Sequence, residues 1–138
     1  MANTYTLIAS STVGSGGAAN IEFTSIPATY TDLLVKLSSR MASGASELLV
    51  RLNGSTSDHS GKYIQGSGSS VASGNNFTVA GVYINEEEYA TYTANTFSNL
   101  ELYVPNYAGS NNKSFSSDGV NENNATQAFT QLTAGLWS

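Results

Sequence analysis

A single histidine, His59, stands in the chain, with Asp58 before it and serines around it. A Ser-His-Asp triad needs a base oriented by a carboxylate, a nucleophile within hydrogen-bond reach and donors for the oxyanion. Adjacent residues of an extended chain point to opposite faces, so Asp58 is badly placed to orient His59. No Gly-x-Ser-x-Gly elbow occurs, and in a chain with 21 serines one beside a histidine is background. The acids are no better arranged. Glu86-Glu87-Glu88 is the one acidic run. Three consecutive side chains of a strand cannot converge on a cation, and no Asp-x-Asx-x-Asx spacing provides a calcium loop. The run reads as a solvated strand end, with Asp118 or Glu122 needed from elsewhere to build any cation site. A glycosidase carboxylate pair cannot be assigned from the ten acids. Gly14-Ser-Gly-Gly17 and Gly66-Ser-Gly68 precede no helix and lack the Lys-Ser/Thr of a phosphate loop. No catalytic, metal-binding or cofactor-binding residue is assigned.

The tyrosines are the residues left with surface chemistry. There are eight, and Tyr83, Tyr89, Tyr92, Tyr103 and Tyr107 fall in the second half of the chain. An aromatic, weakly charged surface suits stacking on sugars or contact with another protein. Tyrosine is also a good strand residue in its own right. Tyr83, Tyr89, Tyr92 and Tyr107 are the candidate partner or glycan contacts.

What must position these residues follows from composition. Ser, Thr, Asn and Gly make up 62 of 138 residues, charged residues only 11 %, and the hydrophobic set still reaches 40 %. Disordered chains combine low hydrophobicity with high charge, which this chain lacks. One domain over residues 1–138 is expected, large enough for a core. The formal charge of -5 leaves no basic field for nucleic acid or an anionic membrane. Without cysteine there is no disulfide, thiolate site or thiol nucleophile. No apolar run approaches a membrane span, and the start lacks the basic and apolar regions of a signal peptide. The expectation is synthesis in a cytoplasm without secretion. Four Asn-x-Ser/Thr triplets (Asn53, Asn76, Asn112, Asn124) match what chance places in a chain one quarter Ser and Thr.

Helical spacing is nearly absent and period-2 blocks recur. Tyr5, Leu7 and Ala9 predict a first strand, and Ile21, Phe23 and Ser25 a second, which Pro27 stops. A Ser/Gly loop, 10–20, separates them. Asp32 to Arg40 and Glu47 to Asn53 share an acid-Leu-Leu-Val-base-Leu pattern, and the loop 41–46 between them suits an antiparallel pair. The likeness reflects a shared half-buried strand environment rather than duplication. Asn53-Gly54 marks a turn, Tyr63 and Ile64 one short apolar element, and 67–76 a polar loop. Phe77 to Ile84 reads as a central strand, Thr96 to Val104 as the clearest alternation of the second half, and Lys113 to Val120 as a further strand. Residues 121–134 remain ambiguous. Seven or eight short strands with turn chemistry between them predict an all-β antiparallel sandwich, and the longer connections favour jelly-roll-like wiring over a meander.

Particular stretches also carry a family resemblance. Thr4-Tyr-Thr-Leu-Ile-Ala-Ser-Ser11, Ile21-Glu-Phe-Thr-Ser-Ile-Pro27, Tyr30-Thr-Asp-Leu33 and Leu37-Ser-Ser-Arg40 open the match. Leu49-Val-Arg-Leu-Asn-Gly54, Thr96-Phe-Ser-Asn-Leu-Glu-Leu-Tyr-Val-Pro-Asn-Tyr107, Glu122-Asn-Asn-Ala125 and Leu136-Trp137 continue it. Together they resemble small virion structural proteins of tailed phages, of the marine and cyanobacterial type. The resemblance implies a β-sandwich without enzyme activity or cofactor, acting as a capsid decoration (cement) protein, a head fibre or a tail component. It also implies self-association as a homo-oligomer such as a trimer, and contact with the major capsid protein. A carbohydrate-binding or lectin-like module that grips host glycan is the alternative. Similar sequences continue past the Leu-Trp segment through further strands. The expectation is a shortened chain, or a sandwich completed by a neighbouring subunit with an open edge at its end.

Overall fold

The computed structural model describes residues 5–42, 47–86, 91–121 and 128–138. Among the described residues nine antiparallel strands form two sheets: β1 (Leu33–Ser39), β2 (Glu47–Val50), β3 (His59–Ser67), β4 (Ser70–Asn75), β5 (Phe77–Thr78), β6 (Gly81–Glu86), β7 (Ser98–Val104), β8 (Lys113–Val120) and β9 (Thr130–Trp137). Six strands run in the order β1-β7-β8-β9-β3-β4 and three in the order β2-β6-β5. The chain passes between the sheets four times, at β1–β2, β2–β3, β4–β5 and β6–β7. Those crossings separate the wiring from a plain meander and give the antiparallel sandwich expected from the strand pattern.

Alternation builds the core where both sheets meet. In β7, Ser98, Leu100, Leu102 and Val104 are buried while the residues between them are exposed, and β8 repeats the pattern from Lys113 to Val120. The core comprises Val82 and Ile84 of β6, Leu100, Leu102 and Val104 of β7, and Phe115 of β8. Half-buried Leu33, Val35, Leu37, Leu48, Val50, Leu52 and Tyr107 pack around it. So short a list of large apolar residues is supplemented by buried polar ones that find partners. Ser117 Oγ donates to the Ile84 carbonyl across the sandwich at 2.9 Å. The Asn121 side-chain oxygen accepts from the Phe129 amide at 2.5 Å, and Gln131 Nε2 donates to Thr133 Oγ1 at 2.8 Å. Such bonds offset the desolvation that buried polar groups otherwise cost.

Glycine is required where rings or side chains lie on the sheet. Phe115 faces Gly135 across the β8–β9 ladder, and a Cβ at Gly135 would enter its ring. Gly119 makes the same room for Asn85.

Several strand expectations are corrected. Residues 5–9 and 21–25 keep their alternating sequence but pair with no strand. Alternation assigns side chains to faces and does not provide the partner whose backbone completes a ladder. The β1 and β2 segments are not an antiparallel pair: β1 pairs with β7 and β2 with β6, in opposite sheets. Each satisfies its Leu-Val-Leu face against the same core from opposite sides. The polar loop expected at 67–76 is instead β4, hairpinned onto β3 through Gly68 at φ +57°. The short element at Tyr63 and Ile64 is the nine-residue β3, between β9 and β4. Small polar residues hid β4 and most of β3 from hydropathy, because sheet pairing is a backbone property. The strand expected over 77–84 breaks at exposed Val79 and half-buried Ala80 into the β5–β6 hairpin, and only β6 is central. Asn85, which directly precedes the acidic run read as a solvated strand end, is buried. The turn at Asn53-Gly54 is present, with both residues at positive φ and Ser55 N donating to the Leu52 carbonyl at 3.0 Å. The last strand, β9, is flanked on both sides by β8 and β3, so it leaves no open edge.

Candidate binding surface

The histidine lies at one end of the sandwich, buried and opposite Trp137 in the β3–β9 ladder, the rings 6.4 Å apart and 25° from parallel. His59 Nδ1–H donates to the Val79 carbonyl at 3.3 Å. Asp58, at φ +64°, turns away and accepts from Ser57 Oγ at 2.6 Å. Asp58 sits in a left-handed bend rather than in an extended segment, and the two side chains bond to different partners. Among the described residues, no three of His, Asp and Glu gather into a metal-holding group. Glu87, Glu88, Glu122 and Asn124 lie outside the described residues, as does most of the loop 41–46.

The candidate tyrosines occupy separate places. Tyr83 points outward from the small sheet between inward Val82 and Ile84, and is half-buried. Tyr92 lies in the loop that Arg40 ties down through the carbonyls of Tyr92, Thr93 and Thr96. Tyr107 packs on the core margin, and its hydroxyl donates to the Pro27 carbonyl. Tyr89 lies outside the described residues.

The broadest chemical surface is the outer face of the six-stranded sheet. Register alone assembles it. One row across the sheet reads Lys36, Glu101, Asp118, Leu132, Ile64, Ser73, and the next Leu34, Tyr103, Ser116, Ala134, Lys62, Asn75. Between them lies an open groove of about 630 Å³. Its apolar content is high for a solvent face: Ile64 and Leu132 are 50 % and 54 % exposed, with Tyr103 and Leu136 near 40 %.

Charge is organised along the first row. Lys36 Nζ sits 2.6 Å from Glu101 Oε1, both exposed, and this hydrogen bond and charge raise the lysine above its ordinary range. Glu101 faces Asp118 directly across the β7–β8 ladder, a like-charge pair that Lys36 offsets from one side. Tyr103 donates to Asp32 Oδ2 at 2.8 Å, while Asp32 Oδ1 accepts from Asn106 N at 2.8 Å. The bond to Asp32 holds the Tyr103 hydroxyl above the usual tyrosine range. The groove therefore offers aliphatic surface and an oriented tyrosine beside two carboxylates.

Sequence reasoning missed this surface. Tyr103 and Ile64 were visible singly, whereas Leu132 fell in the stretch 121–134 that the sequence left ambiguous. They meet only through three strand pairings, β7–β8, β8–β9 and β9–β3. No protein-family model, curated protein or solved structure matches the chain.

Proposed function

We propose that the protein is a non-enzymatic structural protein of a phage virion, carried on the particle exterior as a capsid decoration or head-fibre component. It acts as a homo-oligomer seated on other virion proteins such as the major capsid protein. The observation that carries the reading is the outer face of the six-stranded sheet. A rigid antiparallel sheet that exposes Ile64, Leu132, Leu136 and Tyr103 together presents the kind of apolar patch that marks a protein-contact surface. The virion assignment rests on the resemblance of the stretches from Thr4 to Trp137. The low content of charged residues suits close packing of many copies without strong mutual repulsion. The test is to locate the chain in an electron-microscopy map of the assembled particle, with native mass spectrometry of the free protein. Density for the sandwich on the exterior, large sheet against its neighbour, is expected. Absence from purified particles with only monomer in solution overturns the reading.

A second reading, a glycan-binding module of a fibre or tail, is favoured by the groove itself. Leu34 and Tyr103 offer apolar surface to a sugar face, and Glu101 and Asp118 offer acceptors to its hydroxyls. Glycan arrays with sharp hits that Tyr103→Ala abolishes are expected on this reading; silent arrays remove it.

A further inference from the structure

Among the described strands four lie at sheet edges, β1 and β4 in the large sheet and β2 and β5 in the small one. A sheet edge offers unpaired amides and carbonyls to any other strand, and proteins guard such edges with charge, proline, bulges or brevity. Three of these four are guarded. β1 carries Lys36 at its middle, β2 has four residues with Glu47 at its start and a register shift at Leu48–Leu49, and β5 has two residues. β4, Ser70-Val-Ala-Ser-Gly-Asn75, has none of these devices. It is six residues long, without charge or proline, and its register with β3 is unbroken. No described segment pairs with its far side, the stretches 5–9 and 21–25 included. Every residue of β4 but Gly74 is exposed, Val71 at 75 %.

The β3–β4 hairpin fixes which backbone groups that edge offers. Gly68, at φ +57°, and Ser69 form a two-residue turn, so the flanking pair Ser67–Ser70 is a hydrogen-bonded one. Bonded and non-bonded pairs alternate along an antiparallel ladder, so Ala72 and Gly74 also aim their amides and carbonyls at β3. The bond from Asn76 N to the Gly61 carbonyl, 3.3 Å, continues the same alternation one step further. Val71, Ser73 and Asn75 therefore turn three N–H and three C=O groups away from the sheet.

We propose that β4 pairs antiparallel with β4 of a second copy of the chain, about a two-fold axis passing between the two Ser73 residues. That register sets Ser73 opposite its own counterpart and Val71 opposite Asn75 of the second copy. Every outward N–H of each edge then meets an outward C=O of the other, and no group is left over. Moving the axis one residue, to Ala72 or to Gly74, leaves Asn75 or Val71 without a strand partner. The occupant is a second copy because the edge is its own complement. Its length, its register and its donors and acceptors match under a two-fold, and no like charges meet across it. The axis stands perpendicular to the sheet, so the association closes at two copies. It yields one twelve-stranded sheet whose free edges are both β1, each guarded by Lys36. The outer faces of the two copies stay on the same side, which brings exposed Ile64 and Leu132 of both onto a single surface. Backbone pairing along the edge supplies the affinity.

The inference rests on the self-association in the proposed function and specifies its contact, and its test is separable from the virion reading. The chain has no native cysteine, so single cysteines report the register directly. Bonded antiparallel pairs have Cα atoms about 5.5 Å apart, within disulfide range. Ser73→Cys is expected to form a disulfide-linked dimer under mild oxidation. Val71→Cys and Asn75→Cys, whose own counterparts lie roughly 13 Å away, are expected to stay unlinked alone and to link when mixed. An interface this narrow is a weak one, so sedimentation of the wild type is expected to show dimer at about 1 mM and monomer at about 1 µM. Ser73→Lys, altered at an exposed position, sets like charges against each other at the axis. It is expected to remain monomeric throughout, with an unchanged far-ultraviolet circular dichroism spectrum. A wild type monomeric at about 1 mM, a dimeric Ser73→Lys, or equal linking of all three cysteines overturns the proposal. Ser73→Cys left unlinked, as when the chain's own residues 5–26 cover the edge, also overturns it. If the edge dimer forms but purified particles lack the chain, the virion reading falls and this one stands.

Discussion

Gly135→Ala tests whether the core is built around one ring lying on one glycine. Phe115 is 3 % exposed and faces Gly135 across the ladder. A methyl group at position 135 would overlap ring carbons Cε2 and Cζ and lie 2.9 Å from Cδ2. The backbone of a central strand pinned between β8 and β3 has little room to retreat, so the ring must move. Losing the burial of a phenylalanine costs about 1.5–3 kcal/mol, and imperfect refilling of its site adds to that. Gly135→Ala is therefore expected to destabilise by about 2–3 kcal/mol. Phe115→Ala alone is expected to cost about 3–5 kcal/mol. With the ring absent, the methyl group at 135 has space, and alanine is intrinsically the better strand residue by roughly 0.5–1 kcal/mol. The double variant should then be no less stable than Phe115→Ala alone, a non-additivity of about 2–3 kcal/mol. Guanidinium unfolding of all four proteins, followed by circular dichroism with m-values compared, measures the cycle. A neutral Gly135→Ala, or simple additivity, would refute the reasoning.

Two further outcomes follow from the interior and the outer face. Ser117→Ala removes the donor to the buried Ile84 carbonyl and is expected to cost about 1–2 kcal/mol by denaturant midpoint. Tyr103 titrates above its ordinary 10.0 because its protonated hydroxyl donates to Asp32. A folded-state pKa raised above the unfolded one contributes stability that is complete below about pH 10 and is lost as pH rises through the raised value. The stability difference between wild type and Tyr103→Phe should therefore stay constant from pH 7 to 9 and narrow above 10. Lys36 titrates in the same range but is common to both proteins and cancels. A gap that stays constant as pH rises well above 10 would overturn the assignment of the raised titration to this bond.

Composition and alternation by themselves determined that the chain folds as antiparallel β structure; they marked the alternation of β7, and β8 only as a strand. They excluded thiol chemistry, and the adjacency of Asp58 and His59 already argued against their cooperation. Tertiary structure decided the partners. The near-identical Leu-Val-Leu faces of β1 and β2 suited a hairpin or two facing sheets equally, because period two specifies a face and not a neighbour. It also decided which strands exist. Ser70–Asn75 forms a strand and Tyr5–Ala9 does not, the reverse of their apolar content, because a strand is completed by hydrogen bonds to an adjacent backbone. The outer groove was beyond sequence reading for the same reason. Lys36, Glu101, Asp118, Leu132 and Ile64 are scattered over nearly a hundred positions, and only the register of five paired strands sets them in one row.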